Sequence, residues 1–296
     1  MAGTERDWKL PCGTRAGVFL FSGHFFRGSR TMMEWEAAAL VLSVRPYGEG
    51  SAIVHLLSEE HGISHGMVRG GGSRKQAPLW QTGNLVMARW RARLSDQLGA
   101  VTAEPVQSVG ARLLDLPLQL AMVSSACALA DGALPQGEAH PELFMRLIRL
   151  LTLIGVAPEP PPIAAYLRWE RELLGELGYG LDLSTCAVTG TCDNLHFVSP
   201  KSGRAVSEEA AGVWRDRLLP LPAFLANETE EGSPKDWLAG MILTGHFLSR
   251  WVFGVRHQPL PAARERLFER VRRLAEGDKA GGDLSSEPEL GPDELR

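Results

Sequence analysis

Between residues 37 and 106 the apolar residues come in short runs separated by turn-forming residues. "AAALVLSVR" (37–45) stops at Pro46 and is followed by "PYGEG", dense in turn residues. "SAIVHLLS" (51–58), "GISHGMVRG" (62–70), "NLVMARWRAR" (84–93) and "GAVTAEPV" (99–106) complete a set of five. Runs of this length, bounded by Gly, Pro, Asn and Ser, predict strands. Five short strands within about 75 residues suit a small barrel, and the five-stranded OB-fold is the leading candidate. After residue 110 the period changes. "ARLLDLPLQLAMVSSACALAD", "PELFMRLIRLLTLIG" and "IAAYLRWERELLGELGYG" carry i, i+3, i+4 apolar spacing, as do later segments that open on Ser or Pro. The expected fold is α+β and multidomain, with an OB-fold domain over 33–109 and an all-α helical bundle domain over 110–275. A turn-rich insertion, "STCAVTGTCDNLHFVSPKSGRAV" (184–206), interrupts the helical pattern and holds one hairpin-like stretch. Residues 1–32 have no clear period and end beside the pair Met32-Met33, so they read as an extension or a misplaced start. Residues 276–296 hold seven acids against two basic residues and no apolar period, the composition of a disordered acidic tail.

Composition narrows the classes. The 296 residues are 44% hydrophobic and 22% charged, which is globular and long enough for two domains. A net charge of −4 gives no global case for nucleic acid, so any such case rests on local distribution. Four scattered cysteines, Cys12, Cys127, Cys186 and Cys192, are too few for a disulfide framework and point to a reducing, cytoplasmic setting. The apolar run from Leu238 to Val255 contains His246 and Arg250 and reads as a buried helix rather than a membrane span. "GVFLFSGHFF" near the N-terminus is short and lacks a following small-residue cleavage site, so no signal peptide is expected.

Charge is segregated along the chain. Between Glu60 and Asp96 there is no acid, while Arg69, Arg74, Lys75, Arg89, Arg91 and Arg93 all fall there. Strand alternation puts Arg89, Arg91 and Arg93 on one face, with Ala88, Trp90 and Ala92 on the other. Such a row repels itself unless something anionic covers it, and a phosphate backbone is one such cover. A solvated outer face is the other reading, and both stay open on the charge pattern alone. The stretch "HGMVRGGGSRKQ" (65–76) lacks the Gly-Lys-Ser/Thr of a P-loop and opens no dinucleotide-type helix, which excludes a nucleotide cradle. Its glycines fit a flexible tip carrying Arg74 and Lys75. Trp80 and Trp90 are candidate base-stacking rings, although a tryptophan opposite an arginine face suits the core better. Cys186, Cys192 and His196 share the insertion but lack a fourth ligand and a C-x-x-C step, so no metal or other cofactor is expected. Glu170, Glu172 and Glu176 with Arg168 and Arg171 read as a salt-bridged helix face. No nucleophile elbow or H-E-x-x-H pair is present, and no enzymatic activity is expected.

Three blocks, "SVRPYGEGSAIVHLLSEEHGISHGMVRGGGSRK", "LGAVTAEPV" and "RWERELLGELGYGLDLSTCAVTG", resemble the RecO family of bacterial recombination-mediator proteins over roughly residues 34–275. The resemblance implies an N-terminal OB-fold and a helical C-terminal domain. It implies a non-enzymatic activity: binding single- and double-stranded DNA, annealing complementary strands, and helping to load RecA. RecR is the implied partner, and the acidic C-terminal tail of single-strand-binding protein is a second. It assigns DNA contact to Arg69, Arg74 and Lys75, and acidic-tail binding to Arg168. Some members hold zinc with four cysteines; the insertion here has two. A scaffold whose basic face binds an acidic protein, and no DNA, is the competing reading.

Overall fold

The computed structural model describes residues 33–94, 97–156 and 159–282; the expectations for residues 1–32 and 283–296 lie outside the described residues. Five strands, β1 (Met33–Tyr47), β2 (Ser51–Ser58), β3 (Gly62–Val68), β4 (Leu85–Ala92) and β5 (Gly99–Gln107), close into a barrel in the order β1-β2-β3-β5-β4. All pairs are antiparallel except β3 with β5, which closes the OB-fold. β1 serves two neighbours: its first half pairs with β4 and its second with β2. A register shift between Val41 and Ser43 bends it between those tasks. The parallel seam is narrow because its residues are glycines. A Cβ on Gly66 would fall 2.1 Å from Val101 Cγ2, and one on Gly99 would fall 2.1 Å from Trp90 Nε1.

The barrel interior follows strand alternation. Ala39, Val41, Val54, Leu56, Val68, Val86, Ala88, Trp90 and Val101 fill it together with Trp80 from the β3–β4 connection. The outer face of β1 and β2 is apolar too, since "AAALVL" and "IVHLL" are near-continuous runs. Leu40, Leu42, Leu57 and Ile63 belong to the core of the helical half. The barrel and the helices therefore pack as one compact unit.

The helical half opens with a 3-10 turn at Gly110–Arg112, then α1 (Pro117–Ala133), α2 (Pro141–Val156) and α3 (Ile163–Glu176). Pro117 occupies the first turn of α1, where a missing N–H costs nothing. The insertion forms β6 (Leu195–Val198) and β7 (Ala205–Ser207), leading into the short α4 (Glu208–Ala211). β8 (Leu219–Pro220), beyond the expected insertion, joins them in a sheet of order β7-β6-β8. α5 (Ala223–Ala226), α6 (Pro234–Phe247) and α7 (Ala262–Gly282) complete the chain. α6 begins with a capping box: Ser233 Oγ accepts from Asp236 N, while Ser233 N donates to Asp236 Oδ2 at 2.8 Å. By length and composition Pro234–Arg256 is apolar enough to cross a bilayer. Here Met241, Leu243, Phe247 and Leu248 are instead buried in the common core. α7 continues to Gly282, so the helix extends into the segment that composition assigned to the tail.

One polar network joins four of these helices. Glu170 on α3 is fully buried, and Arg264 on α7 is nearly so. Arg264 Nε donates to Glu170 Oε1 at 2.5 Å and Nη2 to Oε2 at 3.0 Å, a bidentate pair. Thr244 on α6 donates to Glu170 Oε2 at 2.5 Å, Tyr166 donates to Oε1 at 2.5 Å, and Ser125 on α1 lies 2.7 Å from the Tyr166 hydroxyl. Arg264 Nη2 also donates to the Met241 carbonyl at 2.9 Å. Burial works against the Arg264 charge, yet the Glu170 carboxylate holds its pKa above the ordinary value. Burial, reinforced by that carboxylate, raises the Tyr166 hydroxyl well above its usual range. The surface salt-bridged face expected for Glu170 is thus corrected: this glutamate points into the core. Removing one partner of such a pair leaves a buried charge uncompensated, at about 3–5 kcal/mol. Arg264→Met is therefore expected to lower stability by about that amount, and Glu170→Gln combined with Arg264→Met by less than the single change. Urea unfolding midpoints measure both; a double variant less stable than Arg264→Met would contradict this account.

Candidate nucleic-acid interface

The Gly-rich stretch connects β3 toward β4 and sits beside the β1–β2 turn. Gly71 N donates to Val68 O at 3.4 Å and Ser73 N to Gly70 O at 3.0 Å, which folds 68–73 into successive tight turns. Gly72 N donates to Gly50 O at 3.4 Å, docking the loop on the neighbouring turn. Gly70 has φ +72°, a left-handed conformation that favours glycine, while Gly71 is buried with room for little beyond hydrogen against Ala52 and Val68. The loop is an ordered platform rather than a free tip. Arg69, Arg74 and Lys75 are exposed on it. Two residues that the charge pattern did not single out flank it. Arg45, exposed on β1, shares a cross-strand row with Ile53 and Met67, and Tyr47, 53% exposed, pairs with Ser51 at the mouth of the β1–β2 turn. Their only signal was position, in the "RPY" that leads into "GEG".

The second basic group has a different setting. Arg89 and Arg91 lie on the outer face of β4 as alternation requires, but the facing strand carries the complementary row. Register pairs Glu34 with Arg91, Trp35 with Trp90, and Glu36 with Arg89. Arg91 Nε donates to Glu34 Oε1 at 2.7 Å, and Arg89 Nε donates to Glu36 Oε2 at 2.8 Å. The Glu36 bond and charge raise the Arg89 pKa. The anionic cover that the row needs is supplied within the barrel itself. Arg93 lies just past β4, exposed, with no ion-pair partner among the described residues. Trp80 and Trp90 are 1% and 2% exposed, and Trp90 Nε1 donates to the His65 carbonyl at 2.9 Å. Neither ring is open to a base, which removes both as stacking platforms.

Arg168 on α3 is largely occupied. Its Nε donates to Phe224 O at 3.0 Å, and its Nη2 donates to Glu230 O. The guanidinium thereby holds the segment after α5, aided by Arg171 donating to Leu225 O. The same side chain borders a groove of about 460 Å³ between α2 and α3, lined also by Arg146, Arg149, Leu153 and Trp169. Leu153 is exposed, and Trp169 is buried with no hydrogen-bond partner for its indole N–H. Sequence reading missed Arg146 and Arg149; they were hidden in an ordinary amphipathic helix.

In the insertion Cys186 is buried, with Sγ accepting from Ser207 N at 3.3 Å, whereas Cys192 is exposed. Of the two thiols, Cys186 alone is packed. Among the described residues, the cluster with metal-ligand spacing lies elsewhere, at His55, His65 and Asp131.

An OB barrel bearing an ordered basic loop, fused through a shared core to a helical bundle, defines the class of protein. Two family models match this chain: Recombination protein O N terminal over residues 32–109, and Recombination protein O C terminal over residues 117–258. Three curated proteins named DNA repair protein RecO are similar across nearly their whole length. Those of Gluconacetobacter diazotrophicus, Granulibacter bethesdensis and Acidiphilium cryptum are 55%, 52% and 51% identical, each over 83% of this chain and 98%, 99% and 98% of their own. The chain belongs to the RecO family of DNA repair and recombination proteins. The family models end before α7 and its Arg264.

The carbonyl contacts of Arg168 generate a test of its structural share. Hydrogen bonds from a charged donor contribute about 1.5–3 kcal/mol, so Arg168→Ala is expected to lower stability by up to that amount without any partner present. Hydrogen exchange should quicken in residues 223–231. Unchanged exchange there would show that the guanidinium does not hold this segment.

Proposed function

We propose that this protein is a non-enzymatic recombination mediator that binds single- and double-stranded DNA across the 45–75 side of its barrel and anneals complementary strands. It assists RecA loading together with RecR, in the cytoplasm and associated with the nucleoid. The observation that carries this reading is the ordered loop bearing exposed Arg69, Arg74 and Lys75, docked beside Arg45 and the open ring of Tyr47. Cations along a groove neutralise phosphates, and an exposed aromatic ring stacks on a base of any identity. Tyr47 takes the stacking role that the buried tryptophans cannot. Arg89 and Arg91 act mainly within the barrel, and Arg93 extends the basic surface at the end of β4.

The alternative, an acidic-protein scaffold without DNA affinity, differs in its salt response. Each phosphate that a substitution leaves without its cation should flatten the slope of log K against log salt by about 0.7–0.9. Arg69→Ala, Arg74→Ala and Lys75→Ala together are expected to reduce the slope by about 2–3 in fluorescence titrations with single-stranded oligonucleotide. Arg89→Ala, Arg91→Ala and Arg93→Ala together should reduce it by about one at most, because two of the three already have carboxylate partners. Equal slopes in the loop variant and the parent protein would remove the loop from the DNA site.

The α2–α3 groove is the proposed seat of the acidic C-terminal tail of single-strand-binding protein. Its support is Arg149 beside the exposed Leu153 and the unpartnered indole N–H of Trp169, with Arg146 and Arg168 at the border, although Arg146 also pairs with Glu172 at 3.5 Å, Arg168 holds backbone carbonyls, and Glu172 and Glu228 share the lining. Cations suit carboxylates, and an apolar wall suits a hydrophobic end residue. Arg149→Ala is expected to weaken binding of a fluorescent tail peptide about tenfold or more, while leaving the unfolding midpoint in place. Undiminished peptide affinity would move the tail to another surface.

A further inference from the structure

We propose that His55, His65 and Asp131 form a binding site for one divalent transition metal of the zinc class, placed where the barrel meets the first helix of the bundle. Three elements converge there. His55 on β2 and His65 on β3 are directly opposite in register, with rings stacked at 3.8 Å between centroids. Asp131, on the last turn of α1, reaches them from the helical side, its Oδ1 2.7 Å from His55 Nδ1. The candidate ligand atoms of all three lie within 4.8 Å of one another.

The surroundings are those of a ligand set. Ser43, opposite His55 on β1, donates to Asp131 Oδ2 at 2.9 Å and so leaves Oδ1 facing the imidazoles. An outer hydrogen bond of this kind orients a ligating carboxylate. Behind His65, its backbone carbonyl accepts from Trp90 Nε1, which fixes this point of β3 from inside the barrel. The His55 and Asp131 side chains keep 17% and 14% of their surface exposed, so solvent reaches the cluster. Cys127, one turn before Asp131, has its thiol pushed up to about 12 by burial and is no thiolate donor. Two nitrogens and one oxygen suit zinc, cobalt or nickel better than calcium or magnesium. Ligand atoms of a tetrahedral zinc lie about 3.3 Å apart, so closure needs one ring to turn out of the stack and the His55–Asp131 contact to open toward the ion. A metal there would tie the barrel to α1 and stabilise the folded chain by mass action.

The experiment uses the full chain, stripped with chelator and titrated with cobalt(II), then with zinc(II) in competition. The expected result is one equivalent of cobalt with the intense visible absorption of a low-coordinate site, and a zinc-dependent rise in unfolding temperature. His65→Gln and Asp131→Asn should each abolish the absorption or weaken binding more than tenfold, and Ser43→Ala should weaken it about tenfold. Cys186→Ser with Cys192→Ser should leave it unchanged, which separates this site from the insertion. Circular dichroism of each variant checks that it is folded. Because zinc-dependent stabilisation is read in the parent protein as well, the proposal does not depend on the variants alone. It is overturned if the parent protein takes up no stoichiometric metal below millimolar concentration, or if folded His65→Gln and Asp131→Asn variants bind as tightly as the parent.

Discussion

The helical half is organised around one carboxylate that has no access to water. Glu170 lies in the core out of reach of water, and the chain brings a guanidinium, two hydroxyls and three other helices to it. Geometry of this kind tolerates little displacement, because each oxygen is spoken for and the arginine fork is planar. The bidentate pair joins α7 to α3 directly.

The second organising fact is that the barrel is not closed off from the bundle. Its β1 and β2 bury side chains on both faces, the inner set in the barrel and the outer set in the helical core. The Gly-rich loop and the α2–α3 groove are therefore carried on one continuous apolar body. The His55–Asp131 contact lies at the polar edge of that seam, where the apolar surfaces give way to solvent.

Much of the fold was legible because it is written in local periods. Strand alternation in "NLVMARWRAR" placed Trp90 inward, and helix spacing in "PELFMRLIRLLTLIG" gave α2. What was not legible depended on distant pairing. The arginine row of β4 looked unneutralised because its acids are 53 and 57 residues away in sequence, though "EWEA" and "RWRA" are charge complements once laid antiparallel. Glu170 looked like its helical neighbours Glu172 and Glu176, since a spacing of two or six residues does not say which glutamate faces inward; only Arg264, 94 residues on, tells them apart. The basic loop was found because its residues are contiguous. The α2–α3 groove was not, because Arg146, Arg149 and Arg168 come from two helices.

That separation of Glu170 from Arg264 also sets an order on the ribosome. Translation at roughly 5–20 residues per second puts about 5–20 s between the two. Throughout that interval α1, α2 and α3 are present while the cation that neutralises their carboxylate is still unmade. The barrel can close early, since all five of its strands precede residue 108. The helical half cannot complete itself vectorially; it waits for the first turn of α7, the last helix among the described residues, before Glu170 meets its guanidinium.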